Sequence, residues 1–221
     1  MQNPQRYGIH YQKFINQKNN MEEKLEIITK KDLEVLSKQA YESAKDKGFY
    51  PGISTTFHLM FIIVEMGEVL QADRKDRHGS IEDYKSEIEM GRDIPTAYKN
   101  TLECTVESEF ADIAIRILSL LGSIISSEKI ELTEDEDLID EYKLAEFIFG
   151  FDLVEDLYRL IEKIGVCDLD DSPNWYLVKH LQEILMDIFA IAHSNNINLM
   201  EHIKLKMKYN ETRPYLHGYK Y

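Results

Sequence analysis

Residues 61 to 70 read FIIVEMGEVL, and residues 108 to 118 read SEFADIAIRIL. Each is an apolar run carrying two acidic residues three positions apart, Glu65 and Glu68 in the first and Glu109 and Asp112 in the second. That spacing puts both carboxylates of a pair on one side of a helix, about one turn from each other. Carboxylates rarely sit inside apolar runs, because burying one costs several kcal/mol, roughly, unless it is paired. One such pair alone reads as the solvated edge of an amphipathic helix. Two embedded pairs read as a cage where two helix faces meet, with a divalent cation relieving the repulsion among four carboxylates.

Helical spacing extends outward from both runs. Ser54, Thr55 and Thr56 offer caps to a helix reaching about Lys75, with Leu59, Ile62, Ile63, Met66 and Leu70 on one broad apolar face. Pro95 opens a helical stretch lasting to about Gly122, with a break near Cys104. Thr29 caps a helix from Lys30 to Lys47, which Gly48 ends in a left-handed conformation. A short helix is expected over Ile81 to Met90. Thr133-x-x-Glu136 fits a capping box for a helix reaching Ile164 and closed by Gly165, the run EDEDLIDE at 134 to 141 being its solvated start. Ser172-Pro173 opens a helix to about His193, and Asn198-Leu-Met-Glu201 starts a last one that stops before Pro214. Trp175, the single tryptophan, is expected to pack between helices.

No segment alternates at period two for long, so the expected fold class is all-α, an antiparallel helical bundle of five or six helices. Residues 1 to 21, rich in Asn, Gln and Lys, read as a flexible N-terminal arm before one all-α domain over 22 to 221. No repeat of 20 to 50 residues and no Gly/Ser-rich or Pro-rich linker divides that domain.

Of the 221 residues 43% are hydrophobic and 30% charged, which suits a self-folding globular chain. Forty Asp plus Glu against 26 Lys plus Arg give a formal charge of −14, with a pI near 4.9. That balance argues against a nucleic-acid polymer or an anionic membrane surface as partner. The longest apolar stretches, Phe57 to Val64 and Ile113 to Ile125, fall short of the roughly 20 residues that span a bilayer. The N-terminus MQNPQRYGIHYQKF lacks an apolar signal core, and Cys104 and Cys167 form no CxxC, so a reducing cytoplasm is the expectation.

Bundle carboxylates also build di-iron sites, which use a Glu-x-x-His on two helices. None of the seven histidines has Glu three positions before it, so an all-oxygen site for Mg²⁺, or Mn²⁺ as substitute, is favoured. Lys206, Asn210 and Arg213, spaced i, i+4 and i+7, put a cation, an amide and a guanidinium on one helical side suited to phosphates. A basic turn complementing the helix dipole is the plainer alternative.

In these features the sequence resembles the MazG-like all-α nucleoside triphosphate pyrophosphohydrolases, whose signature is ExxE on one helix followed by ExxD on the next. The resemblance covers about residues 45 to 125 and 176 to 220, through AKDKGFYPG…HLMFIIVEMGEVLQADRK, VESEFADIAIRILSLLG and IKLKMKYNETRPYLHGYK. It implies a four-helix core with additional helices, here with insertions at about 76–95 and 130–170. Forty residues separate Glu68 from Glu109, more than in compact members.

The resemblance further implies that Glu65, Glu68, Glu109 and Asp112 are catalytic metal ligands for Mg²⁺, one of them doubling as base. A water then attacks the α-phosphorus of a (d)NTP, giving (d)NMP and pyrophosphate. Lys206, Asn210 and Arg213 would bind phosphate, with Lys75 and Lys220 as weaker candidates. Arg116, one turn beyond Asp112, would either touch phosphate or orient an acidic ligand. Phe49 and Tyr50 resemble the aromatic position that many members use near the nucleobase, against a plain role as core anchors, while His58 reads as packed. Members pair their bundles, so a homodimer or homotetramer is expected. The alternative is a non-catalytic nucleotide-binding or helical interaction module.

Overall fold

The computed structural model describes residues 28–167 and 173–218. Among them are nine α-helices and no strand: α1 Lys30–Asp46, α2 Thr55–Arg74, α3 Ile81–Glu89, α4 Ile94–Thr101, α5 Val106–Ser127, α6 Asp135–Ile148, α7 Leu153–Gly165, α8 Asn174–Ser194 and α9 Leu199–Thr212, followed by a 3₁₀ turn Tyr215–Gly218. The fold is all-α, a helical bundle. The expected arm at 1 to 21 lies outside the described residues.

Local chemistry sets most helix starts. Thr29 accepts from the Asp32 amide while Asp32 reaches back to the Thr29 amide, a capping box for α1. Ser54, Ser80, Asp93, Thr105, Asp152 and Asn198 cap α2, α3, α4, α5, α7 and α9 through their side chains. Gly48 has φ +89°, as its place after α1 requires. The expected break near Cys104 is real: the chain leaves α4 at Leu102, passes through Cys104 at φ +60°, and restarts at Val106.

The bundle is organised around α5, which packs against α1, α2, α8 and α9. Phe110, Ile113, Ala114, Ile117, Leu118 and Leu121 are fully buried along it. By length and composition α5 alone among the described helices could cross a membrane, but 61% of its apolar window is buried inside the bundle. Gly122, expected near the end of this helix, lies within it, and a Cβ there would meet the Ser37 carbonyl oxygen of α1 at 2.1 Å. That glycine lets α1 and α5 approach backbone to backbone.

Four expectations about the second half are corrected. The stretch to Ile164 is two helices, because Phe149 to Asp152 form a corner with Gly150 at φ +91°. Asp156, 1% exposed, accepts from the Gly150 amide at 2.7 Å and fixes that corner. The first of the two is N-capped by Glu134 rather than Thr133 and has no side-chain cap bond. Its acidic start is not merely solvated: Asp135 accepts from the Lys30 amide at 2.5 Å, and Glu134 pairs with Lys30 Nζ at 2.6 Å. The run therefore docks against the N-terminus of α1, where the helix dipole favours negative charge. Trp175 does not pack between helices; it is 58% exposed, edge-on to Tyr176.

The region read as an insertion at 76–95 has a structural use. α3 and α4 form a small second core of Tyr84, Ala97, Tyr98, Leu102 and Tyr209 against α9. Tyr98 and Tyr209 stack with ring centres 4.3 Å apart.

Candidate metal and ligand site

α2 and α5 pack side by side, which turns the two acidic pairs toward each other. One carboxylate oxygen from each of Glu65, Glu109 and Asp112 lies within 4.8 Å of the others, close enough to hold a single metal ion. Glu65 and Glu109 are 6% and 5% exposed, Asp112 is half-buried and Glu68 is exposed. Glu65 comes from the middle of α2, and Glu109 and Asp112 come from the first two turns of α5.

Two cationic side chains reach into the cluster. Arg116 Nε donates to Glu65 Oε1 at 2.5 Å, with its guanidinium 4.7 Å from the centre of the Phe61 ring. Of the two roles open to Arg116, the geometry shows the pairing with an acidic residue. Lys206, from α9, puts Nζ 2.5 Å from Asp112 Oδ2 and donates to Ser108 Oγ at 3.0 Å.

Burial pushes the Glu65 carboxyl up to about 7, with the charge of Asp112 adding to it and Arg116 opposing. Burial likewise pushes Glu109 up to about 8, again with Asp112 adding and Lys206 opposing. Burial alone would lower Lys206, but the Asp112 carboxylate together with Tyr98 and Glu109 outweighs it and holds the ammonium above the usual lysine range. The metal-free site thus favours protons on two carboxyls that a cation would displace.

Folded-state values above the unfolded carboxylate range mean that the native chain binds more protons than the unfolded one between about pH 4.5 and 8. The metal-free protein should therefore be most stable at the acid end of that window and lose stability as pH rises through 7 to 8. Asp187, pushed up to about 6 by burial, adds to the loss at the lower end. The melting temperature in EDTA is expected to fall from pH 5 to 8, while the increment added by Mg²⁺ grows over the same range. A Mg²⁺ increment independent of pH would contradict this.

Ten of the residues selected from the sequence line one cavity of about 700 Å³: Glu65, Glu68, Glu109, Asp112, Arg116, Lys206, Asn210, Arg213, Phe49 and Tyr50. Arg213 sits just past the end of α9, not on its helical side, with its guanidinium 5.8 Å from the centre of the Tyr209 ring. The segment carrying it is tied to the α1–α2 connector: Lys47 Nζ donates to the Glu211 and Arg213 carbonyls, and the Leu216 amide donates to the Lys47 carbonyl at 2.8 Å. Lys47, Glu211 and Arg213 also line the cavity.

Tyr50 stacks on His58 with ring centres 4.5 Å apart, meets Tyr41 edge-on, and bonds Ser119 through its hydroxyl at 2.8 Å. His58 is packed as expected, and burial lowers its imidazole below the usual range. Its buried Nε2 and the buried Oδ1 of Asn210 make no hydrogen bond among the described residues, and both residues line the cavity. Unpaired buried polar atoms are uncommon, and a ligand bound here would have partners waiting. Lys75 bonds Gln71 on the far end of α2 and does not line this cavity; Lys220 lies outside the described residues.

Sequence reading missed Ser108 and Ser119, which hold Lys206 and Tyr50. The signal of Ser119 was available, a hydroxyl inside the apolar stretch of α5, where a polar group needs a partner; Ser108, between Glu107 and Glu109, carried none. Tyr98 and Tyr209, the aromatic platform beside Lys206, carried no sequence signal, since their pairing joins α4 to α9.

No family model, no curated protein and no solved structure matches this chain.

Proposed function

We propose that this protein is a Mg²⁺-dependent nucleotide pyrophosphohydrolase that converts a (d)NTP to (d)NMP and pyrophosphate. One observation carries the reading. Two acidic pairs forty residues apart in sequence, and a Lys, Asn and Arg from the end of the chain, line a single cavity of about 700 Å³, a volume suited to a small ligand. The resemblance in the ExxE and ExxD segments supports the same conclusion.

The donor set fits the ion. Glu65, Glu109 and Asp112 offer oxygen alone, with no imidazole or thiolate among them, which favours Mg²⁺ or Mn²⁺ over Zn²⁺ or iron. Their buried, mutually repelling charges are what a divalent cation would relieve. Bound there, the ion would neutralise phosphate charge and make a water more acidic.

The side chains divide the remaining work. Arg116 and Lys206 hold Glu65 and Asp112 in place, leaving Glu68 and Glu109 without an ion pair among the described residues. The proton of the attacking water goes to one of these two carboxylates. Arg213 and the Asn210 amide line the same cavity and would take phosphate oxygens, with Tyr50 left for the rest of the nucleotide. A protein of formal charge −14 repels a free triphosphate, so substrate binding should be weak without Mg²⁺.

The direct test is incubation with a panel of dNTPs and NTPs, with and without Mg²⁺, reading pyrophosphate and monophosphate. Mg²⁺-dependent release of both supports the proposal; orthophosphate and diphosphate as products would overturn it. Nucleotide bound without turnover would leave a non-catalytic binding module. Association into a homodimer or homotetramer belongs to the same reading, and gel-filtration elution near the 25.9 kDa of one chain would remove that part.

A further inference from the structure

α6 packs on α8 and buries Leu138, Tyr142 and Ala145, which leaves its opposite side, at positions 136, 140, 144 and 147, to solvent. That side is divided along its length. Its first two turns carry exposed Glu136, Asp137 and Asp140. Its last two carry Leu144 and Phe147, 54% and 77% exposed, and Phe151 continues the apolar strip past the helix end. Large apolar side chains exposed in succession mark an interaction surface. Lys143 pairs with Asp140 at 3.1 Å, while Glu136 and Asp137 have no ion pair among the described residues.

The chain itself carries a complementary segment. Residues 1–21 hold three of the protein's 26 Lys and Arg, namely Arg6, Lys13 and Lys18, and none of its 40 Asp and Glu. The same stretch holds Tyr7, Ile9, Tyr11, Phe14 and Ile15. Where the chain joins the bundle decides which surface it meets. Ile28 is buried, and two positions on, the Lys30 amide donates to Asp135 Oδ1 at 2.5 Å while Lys30 Nζ pairs with Glu134 at 2.6 Å. The chain therefore enters the bundle beside the first turn of α6, at the acidic end of the strip.

The two orders match. Counted back from Ile28, the chain offers Lys18 and Lys13 before Tyr11 and Tyr7, and α6 counted from Asp135 offers acid before apolar side chains. Glu22, Glu23, Lys24 and Glu26 occupy the link between. From Asp135 to Phe147 is about 18 Å along the helix axis. The stretch from Ile15 to Ile28 spans roughly 40 Å when extended, so length is no obstacle. A second copy of the chain is a poorer occupant, because it brings another formal charge of −14 to an acidic surface.

We propose that the N-terminal segment docks along α6 of its own chain. Lys13 and Lys18 meet Glu136, Asp137 and Asp140, and the aromatic residues Tyr7, Tyr11 and Phe14 cover Leu144, Phe147 and Phe151.

The test is hydrogen exchange of the full chain, read by mass spectrometry over peptides covering 7–18. Exchange there is expected to be about 10-fold slower, or more, than unstructured-chain rates. Phe147→Ser, at a position exposed enough to leave α6 intact, should return it to those rates. The reversed pair Glu136→Lys with Asp140→Lys should do the same, and adding Lys13→Glu with Lys18→Glu should restore the protection. Unstructured rates over 7–18 in the unmodified protein overturn the proposal. So does protection that survives both Phe147→Ser and the α6 reversal, which would put the segment on another surface. Protection that falls on dilution assigns the segment to a second copy and overturns docking within the chain. Reversal of both sides without recovery overturns the charge match on which the docking depends. None of these outcomes depends on the metal site or on turnover, so failure here is distinct from failure of the proposed function.

Discussion

Replacing Glu109 by glutamine is expected to cut pyrophosphate release by roughly 100-fold or more, the scale of removing a group that acts on charge in the transition state. The same change is expected to make the metal-free protein more stable at pH 8. Glu109 is 5% exposed, and burial with the Asp112 charge pushes its carboxyl up to about 8, so at that pH the fold carries a carboxylate that resists ionisation. A neutral amide of the same shape removes that burden, and with it part of the rise in the Mg²⁺ increment between pH 5 and 8, the part that Glu65 contributes remaining. Opposite signs make the result diagnostic. A variant that had merely misfolded would lose activity and stability together, whereas a site that trades stability for function loses the first and gains the second. Unchanged pyrophosphate release in Glu109→Gln would remove Glu109 from the chemistry.

Gly122→Ala is expected to be strongly destabilising. The added Cβ would lie 2.1 Å from the Ser37 carbonyl oxygen, 2.7 Å from the Ser37 carbonyl carbon and 2.8 Å from the Tyr41 Cβ. The first two are backbone atoms, so no side-chain rotation relieves the clash, and α1 must move away from α5. Overpacking of this kind costs about 3 kcal/mol, which for a chain of this length lowers the melting temperature by about 6 to 12 °C. Gly67 is the control: it is also helical, a Cβ there meets nothing within 4 Å, and Gly67→Ala should stabilise by about 0.5 to 1 kcal/mol. Thermal unfolding of both variants by circular dichroism decides the matter. Equal shifts of the two would show that backbone freedom, not the approach of α1 to α5, governs both glycines.

Helix positions were legible in the sequence because their causes are local. Thr29 with Asp32, Ser54, Pro95 and Asn198 act within a turn of themselves, and apolar spacing of three and four reports a buried side whatever lies against it. Glu65, Glu68, Glu109 and Asp112 stood out for the same reason, as acidic groups out of place among their immediate neighbours. Where local rules competed with distant contacts, they failed. Thr133 and Glu136 had the spacing of a capping box, yet Asp135 and Glu134 are held by Lys30, 105 and 104 positions away, and the helix starts to suit that contact. Gly122 looked like an ending and is a point of close approach, which depends on a neighbour that the sequence does not announce.

What the sequence by itself determined is the class of fold and the chemical type of the candidate site: helices with four embedded carboxylates and no imidazole among them. The tertiary structure decided which of those carboxylates share a point in space, that Glu68 remains exposed while Glu65 and Glu109 are buried, and that Lys206 and Arg116 face carboxylates rather than solvent. The physical reason is range. Propensity, capping and amphipathicity act over one or two helical turns, whereas the charge state of a carboxylate depends on what other segments bring within a few ångström of it. Lys206 meets Ser108 across 98 positions of sequence, and only the folded bundle brings them together.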